Sequence, residues 1–345
     1  MKMSESTLLN ILSLGEKPVR WNAVPASKNG QALPEQCSIL QKCPVVWSES
    51  LVTVITVNYN EAEVTCALLD SIRRQPYRPV EVIVVDNASR ENPETLFRSR
   101  YPEVTFLRSE QNLGFAGGNN LALKHATGAY LFFVNNDAEL TDHTIGNLLQ
   151  LFENQPQAGI VSPLICYAPE AGAGAGPDLI QYAGMTPIHP LTGRNRTIGN
   201  REPDSGQYSE PKQTAYAHGA AMMVPRRVLD LAGPMQEDFF LYYEELDWSE
   251  RIRKAGWQVW VQPLAKVYHK ESLTVKKLGA LKTYFLNRNR VWFMRRHFGR
   301  LQRIGFYIYL GLVLAPKNII VYTLHGEWAN LRAFLRGVWW NVDEG

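Results

Sequence analysis

A small set of carboxylates, one histidine and a run of arginines could do chemistry in this chain. Asp137 closes the apolar run Phe132-Phe133-Val134 after two asparagines, Asn135 and Asn136. A hard divalent cation bound to a diphosphate takes one or two protein carboxylates, so an acid delivered at a strand end suits that task. The plain alternative is a cap for the next element. Asp86 ends another apolar run, where a carboxylate can accept from a base N–H or a ribose hydroxyl, or simply cap a turn. Glu244, Glu245 and Asp247 crowd the start of a helical stretch; surface acids complementing the helix dipole are the bland reading. His269 closes "VWVQPLAKVYH", and a neutral imidazole there can join a carboxylate and diphosphate oxygens around Mg2+ or Mn2+. Arg288, Arg290, Arg295 and Arg296 stand among aromatics, a pattern open to diphosphate, nucleic acid or an anionic membrane surface.

The elements that must position these groups are legible from periodicity. "LVTVITVNYN" (51–60) is a β-branched run too short for a helix, "EVTCALLDSIRRQ" (63–75) has helical spacing, and "VEVIVVDNAS" (80–89) is a second apolar strand. Together they predict a βαβ unit with a parallel sheet. A third strand follows at 104–112, then a glycine-rich turn into a helix at "GFAGGNNLALKHA", and a fourth strand in "AYLFFVNND". Each apolar run ends where polar side chains begin, at the carboxyl edge where such sheets bind ligands. "GFAGGN" is not G-x-G-x-x-G and follows the third strand, so a dinucleotide fingerprint is disfavoured. A helix near 145–154, a strand in "AGIVSPLI", a mobile loop at 168–177 and an irregular stretch at 178–215 come next. A strand and helix then precede the acidic helix, which stops at a glycine before its own strand.

The chain has 345 residues, 45% of them hydrophobic, enough for a large core. Its net charge of +3 conceals a basic end, because residues 276–345 carry 12 Lys/Arg against 3 Asp/Glu. That end has its own partner or surface. Cys37, Cys43, Cys66 and Cys166 form no CxxC pair, which argues against a metal framework and for reduced thiols in the cytoplasm. The first residues do not read as a signal peptide.

The ordered set "VTVITVNYN", "VEVIVVDNAS", "NLGFAGGNN", "FFVNNDAEL", "HGAAMMVPR", "FFLYYEELDWSERIRKAGW" and "YFLNRNRVWFMRRH" resembles the inverting family 2 glycosyltransferases, particularly their bacterial rhamnosyltransferase-like branch. The likeness covers residues 51 to about 298. It implies a GT-A fold: an α/β domain with a Rossmann-like, mostly parallel central sheet flanked by helices, here between an N-terminal extension (1–50) and a C-terminal helical segment (299–345). It further implies that Thr56, Asn58, Asn60 and Asp86 hold the nucleotide of a sugar donor, a dTDP- or UDP-sugar, with Asn136, Asp137 and Arg290 also on the donor side. Asp137 alone replaces the family's D-x-D as metal carboxylate, and His269 completes the site for Mg2+ or Mn2+. Glu245 is the implied general base; Glu244-Glu245 stands where the family shows Glu-Asp, and Asp247 is the fallback. His218 to Ala220 and the loop 199–208 fall on the acceptor side.

Residues 304–324 are about long enough to span a bilayer, but Pro316, Lys317 and Asn318 interrupt them and leave an apolar run of 12 residues. With arginines on both sides, the favoured expectation is an interfacial helix pair on the inner leaflet of the cell membrane. A dimer interface, core burial and a true span are the alternatives. The resemblance implies an enzyme that moves a sugar, L-rhamnose, onto a cell-surface glycan or lipid-linked acceptor. A nucleotidyltransferase would want a basic, glycine-rich loop after the first strand, which "NYNEAEV" lacks. A non-catalytic nucleotide-sugar-binding subunit would have lost the acids at 137 and 245. Hydrophobic runs in the basic end argue for membrane and against nucleic acid.

Overall fold

The computed structural model describes residues 50–169, 176–270 and 279–343. The chain divides after Val45, and the described residues all belong to the second unit, Val46–Gly345. The expected N-terminal extension and most of the expected mobile loop, 170–175, lie outside the described residues.

The second unit is built on one mixed sheet. Strands β1 (Val52–Asn58), β2 (Val80–Asn87), β3 (Thr105–Ser109) and β4 (Tyr130–Val134) are joined through helices α1 (Ala62–Arg73), α2 (Glu94–Arg100) and α3 (Gly114–Leu123). They form the parallel half in the order β3-β2-β1-β4. The short β5 (Ala138–Leu140), helix α4 (Thr144–Asn154) and β6 (Ala158–Tyr167) follow, then β7 (Ile180–Tyr182), β8 (Lys212–Gln213), β9 (Ala221–Pro225), α5 (Arg226–Ala232), α6 (Glu244–Lys254) and β10 (Gln258–His269). The sheet continues β4-β9-β6-β10-β5, with β9 antiparallel to both β4 and β6.

Strand residues alternate between two cores. Val52, Val54, Val84, Phe132 and Val134 fall in one core, Ile55, Ile83, Val85, Leu131 and Phe133 in the other. Both faces are therefore covered, which is why these strands read as continuous apolar runs. Trp248 of α6 stacks edge-on against Phe133, with centroids 5.3 Å apart, and so seats the acidic helix on the sheet.

Two expectations change. The glycine-rich segment is not a turn ahead of α3, because the helix begins at Gly114 itself. Gly118 brings α3 close to β1: an added Cβ would lie 2.9 Å from the Val57 side chain. The apolar C-terminal segment is likewise not broken at Pro316. Helix α7 (Gly279–His297) is followed by α8 (Arg300–Tyr309), a π-helical turn (Leu310–Leu314) and α9 (Ala315–Leu324), one continuous helix of 25 residues. Proline lacks an N–H and clashes with the carbonyl four residues back; the π-turn immediately before it accommodates both. Helix α10 (Trp328–Asp343) then returns onto α7, where Gly337 lies against the Tyr284 carbonyl and Asn341 Nδ2 donates to Arg288 O at 3.0 Å.

Candidate active site

A chain of side chains runs across the carboxyl ends of the parallel strands. Arg108, at the end of β3, donates to Asp86 Oδ2 at 2.6 Å, and Asn58 Nδ2 of β1 donates to Asp86 Oδ1 at 2.8 Å. Thr65 of α1 donates to Asn58 Oδ1 at 2.9 Å and accepts from Asn136 Nδ2 at 3.1 Å. Ser89 ties in Asn60, whose backbone N–H donates to its hydroxyl at 2.8 Å. The sequence singled out Asn58, Asn60, Asp86 and Asn136; it missed Thr65, Ser89 and Arg108, which join them. Asp86 is fully buried, and its carboxylate is committed to Asn58 and Arg108, tying the ends of β1, β2 and β3 together. Asn60 is exposed in a left-handed conformation, and Thr56 is buried, with its hydroxyl lacking a hydrogen-bond partner among the described residues.

The second constellation joins residues 132 positions apart. Asp137 Oδ1 lies 3.1 Å from His269 Nε2 because β5, two residues beyond Asn136, pairs antiparallel with the end of β10. The other imidazole nitrogen, Nδ1, sits 2.8 Å from Gln181 Oε1 on β7. With Nδ1 turned to that acceptor, Nε2 is the ring nitrogen that faces Asp137. Neighbouring ligands of an octahedral ion bound at about 2.1 Å are about 3 Å apart, so this carboxylate and imidazole fit adjoining positions on Mg2+ or Mn2+. A different group, Cys166, Asp178 and Asp204, clusters closely enough for a metal among the described residues. There, however, the Lys266 ammonium already bridges Asp178 at 3.0 Å and Asp204 at 2.8 Å. Burial also pushes the Cys166 thiol up to about 12, so that cluster reads as an ion-pair clasp for the 199–208 loop.

The loop 218–220 connects the second constellation to the acids. Asn135 N–H donates to Ala220 O at 2.9 Å, the His218 ring stands 6.3 Å from that of His269, and a Cβ on Gly219 would lie 3.9 Å from the Glu245 carboxyl carbon. Burial, and then His269, hold His218 down at about 3; it is neutral. Glu244 is buried, and one of its oxygens has no hydrogen-bond partner among the described residues. Burial, reinforced by Glu245, raises it well above the carboxylate range. Glu245 keeps part of its surface open, yet burial brings it up to about 7. Burial thus raises both adjacent acids, Glu244 well above the carboxylate range and Glu245 to about 7.

Asp247 does not share this site. It is wholly buried and bonded to Arg251 Nε (2.8 Å), Arg296 Nε (3.0 Å) and His297 Nε2 (2.8 Å). Burial pushes it up, but the His297 hydrogen bond and the two guanidinium groups outweigh that and bring it down to about 2. A carboxylate so weakly basic and fully clamped is no general base; it ties α6 to α7. Arg290 departs from the donor-side expectation too. Its Nε lies 3.4 Å from the Tyr243 hydroxyl, its stem packs against Gly193, and one terminal nitrogen is buried without a hydrogen-bond partner among the described residues. It lies on α7 against Tyr243, the last residue of the loop before α6. That loop holds three non-glycine residues at positive φ, Phe240, Tyr242 and Tyr243, each costing on the order of 1–3 kcal/mol.

A mixed sheet with an aspartate–histidine pair at strand ends, joined through the 218–220 loop to an acid pair, has the layout of a nucleotide-sugar transferase. Residues 53–231 match the family model described as Glycosyl transferase family 2, and the chain belongs to that family. It is 26% identical over 231 residues to an N-acetylglucosaminyl-diphospho-decaprenol L-rhamnosyltransferase of Mycobacterium tuberculosis, covering 63% of this chain and 75% of the relative. A low-salt glycan biosynthesis hexosyltransferase of Haloferax volcanii is 27% identical over 206 residues, 59% of this chain and 61% of the relative. Among solved structures, a mannosyltransferase from Pyrobaculum calidifontis in complex with GDP-Man and Mn2+ superposes with a TM-score of 0.52 at 18% identity, over 85% of this chain and 87% of that one. GalNAc-T7 with UDP, GalNAc and Mn2+ gives 0.52 at 17% identity over 64% of this chain, and the chain spans 43% of that structure. These likenesses show the GT-A fold, and the protein is a glycosyltransferase.

Proposed function

We propose that the protein transfers a sugar with inversion, L-rhamnose from its dTDP donor, onto a lipid-linked or cell-surface glycan acceptor at the inner face of the membrane. The observation that carries the donor site is the 3.1 Å Asp137–His269 pair at the edge that receives the strand-end network. Exposed Asn60 stands at the nucleotide end, and the buried Asn58, held by Asp86 and Thr65, supports the strand end beneath it. Asp137 and His269 would hold Mg2+ or Mn2+, which when bound offsets the charge developing on a departing diphosphate. Glu245 takes the proton of the acceptor hydroxyl as its oxygen bonds to the anomeric carbon. The bond from that carbon to the diphosphate breaks from the opposite face, and the nucleoside diphosphate leaves with the electron pair. The rhamnosyltransferase relative supports the choice of sugar and of a lipid-linked acceptor.

The membrane part rests on the C-terminal hairpin. By length and composition Arg300–Leu324 could cross a bilayer. A crossing would set Gly326 about 30 Å from the domain, across the hydrocarbon layer. Instead Thr283 of α7 donates to Asn330, four residues beyond Gly326, at 3.1 Å. Phe306, Leu310 and Leu314 are buried against the domain, while Leu301, Ile304, Ile308 and Leu312 point outward. One apolar stripe faces the protein and another is exposed, flanked by Arg300, Arg303, Arg332 and Arg336. That arrangement suits a helix lying in an anionic interface.

A thermal-shift screen against dTDP, UDP, GDP and their sugars, with and without Mn2+, tests the donor reading. Metal-dependent stabilisation by dTDP and dTDP-rhamnose is expected. Stabilisation by another nucleotide alone would replace the donor, and stabilisation by none would overturn the donor site.

A further inference from the structure

The residues leading into α6 adopt a backbone that few side chains accept. Phe240, Tyr242 and Tyr243 have φ of 62°, 68° and 76°, in a region that is uncommon without glycine. At Phe240 ψ is −53°, and Leu241 N–H donates to Phe239 O at 2.7 Å, closing a γ-turn of the rare, strained hand. Nothing in "FFLYY" favours this path.

What holds it comes from α7. Asn289 is wholly buried, and its amide nitrogen faces three carbonyl oxygens of the loop: Phe239 at 2.9 Å, Leu241 at 2.8 Å and Tyr242 at 2.7 Å. Its own oxygen accepts from Arg288 Nε at 2.7 Å, which fixes which end of the amide faces the loop. Arg288 also donates to Phe239 O at 2.9 Å and to Asp238 O. On the opposite side Phe115 N–H donates to Phe240 O at 2.8 Å, and only glycine at 114 admits that approach, since a Cβ there would fall 2.3 Å from the same oxygen.

We infer that Asn289 is a positioning residue for transfer: its side-chain amide holds the strained 239–243 loop in the one conformation that seats Glu244 and Glu245 at the sheet edge. The inference rests on Glu245 being the base. Asparagine is required by charge as well as shape, because aspartate would set an anionic oxygen against three carbonyls. Glu245 is faced by Glu244 on its own helix, by Arg288 of α7 beyond Glu244, and by the 218–220 loop with its neutral His218.

The test compares Asn289→Ala and Asn289→Asp with Glu245→Gln in the full chain. The readouts are kcat, donor affinity by thermal shift, and the pH profile of kcat. Wild-type turnover should rise with an inflection near 7, where Glu245 titrates. In both Asn289 variants kcat should fall about 100-fold and donor affinity should hold, and in Asn289→Ala the inflection should move to lower pH as Glu245 loses its buried seat. A purely structural role would reduce the folded fraction without moving the inflection. Should Asn289→Ala fail to fold, Asn289→Ser, which keeps one donor, reports the same shift. Wild-type kcat and inflection in a folded Asn289 variant, with Glu245→Gln inactive, would overturn the inference and leave the base standing. Persistent turnover in Glu245→Gln would overturn the base and the inference with it.

Discussion

Replacing Asp247 by asparagine separates structure from catalysis in the acidic cluster. A buried carboxyl brought from its ordinary 3.8 down to about 2 is favoured as the anion by about 2.5 kcal/mol in the folded state. Asparagine keeps the shape but strands the Arg251 and Arg296 guanidinium groups and changes what His297 meets, so the loss should reach about 2–4 kcal/mol at pH 7. Because the folded value lies below the unfolded one, this stability is fully present above the ordinary carboxyl range. It disappears as pH falls through about 2, so the difference between wild type and variant should shrink in acid. Urea denaturation at several pH values measures it as a shift in midpoint at constant slope. Transfer by the folded variant should keep its pH profile. A cost below about 0.5 kcal/mol, as for an ordinary surface pair, would refute the clamp; a folded variant devoid of transfer would return Asp247 to the chemistry.

Glu244→Gln should raise the melting temperature at pH 8 but not near pH 4.5: the folded carboxyl is raised by burial, so its ionisation opposes folding as pH climbs above the ordinary range, and glutamine removes that penalty. Asp137→Ala should abolish the Mn2+-dependent part of nucleotide stabilisation, and Gln181→Ala should weaken it about 10- to 100-fold by releasing the His269 ring; calorimetric titration with Mn2+ and the nucleotide checks both. Ile308→Asp with Leu312→Asp should release the protein from anionic vesicles in a flotation assay without changing donor binding, and unchanged flotation would send the apolar stripe to another partner.

Elements with strict periodicity were readable in advance. The runs ending at Asn58, Asp86 and Asp137 became β1, β2 and the β4–β5 edge, because a strand covered on both faces leaves an unbroken apolar signature. Asp137 and His269 each stood out at a strand end, but that they share one site came from the resemblance, since their closure depends on the antiparallel pairing of β5 with β10. Asp247 was misread because the three acids of Glu244-Glu245-Leu246-Asp247 look equivalent in a row, whereas a helical turn aims the third toward α7. Asn289 left no usable signal: its partners are backbone carbonyls 47 to 50 residues away, and carbonyls carry no sequence identity.

The π-turn at Leu310–Leu314 amounts to a one-residue insertion carried inside an α-helix. Deleting one residue from it would restore an unbroken α-helical ladder and swing everything downstream by about 100°. Lys317 and Asn318, the polar pair in the apolar segment, would then trade faces with their neighbours. An insertion or deletion at this point can therefore re-aim the outer half of the helix in one mutational step while Phe306 and Leu310 stay anchored, which makes this turn the place where descendants of the fold can most readily change what that surface meets.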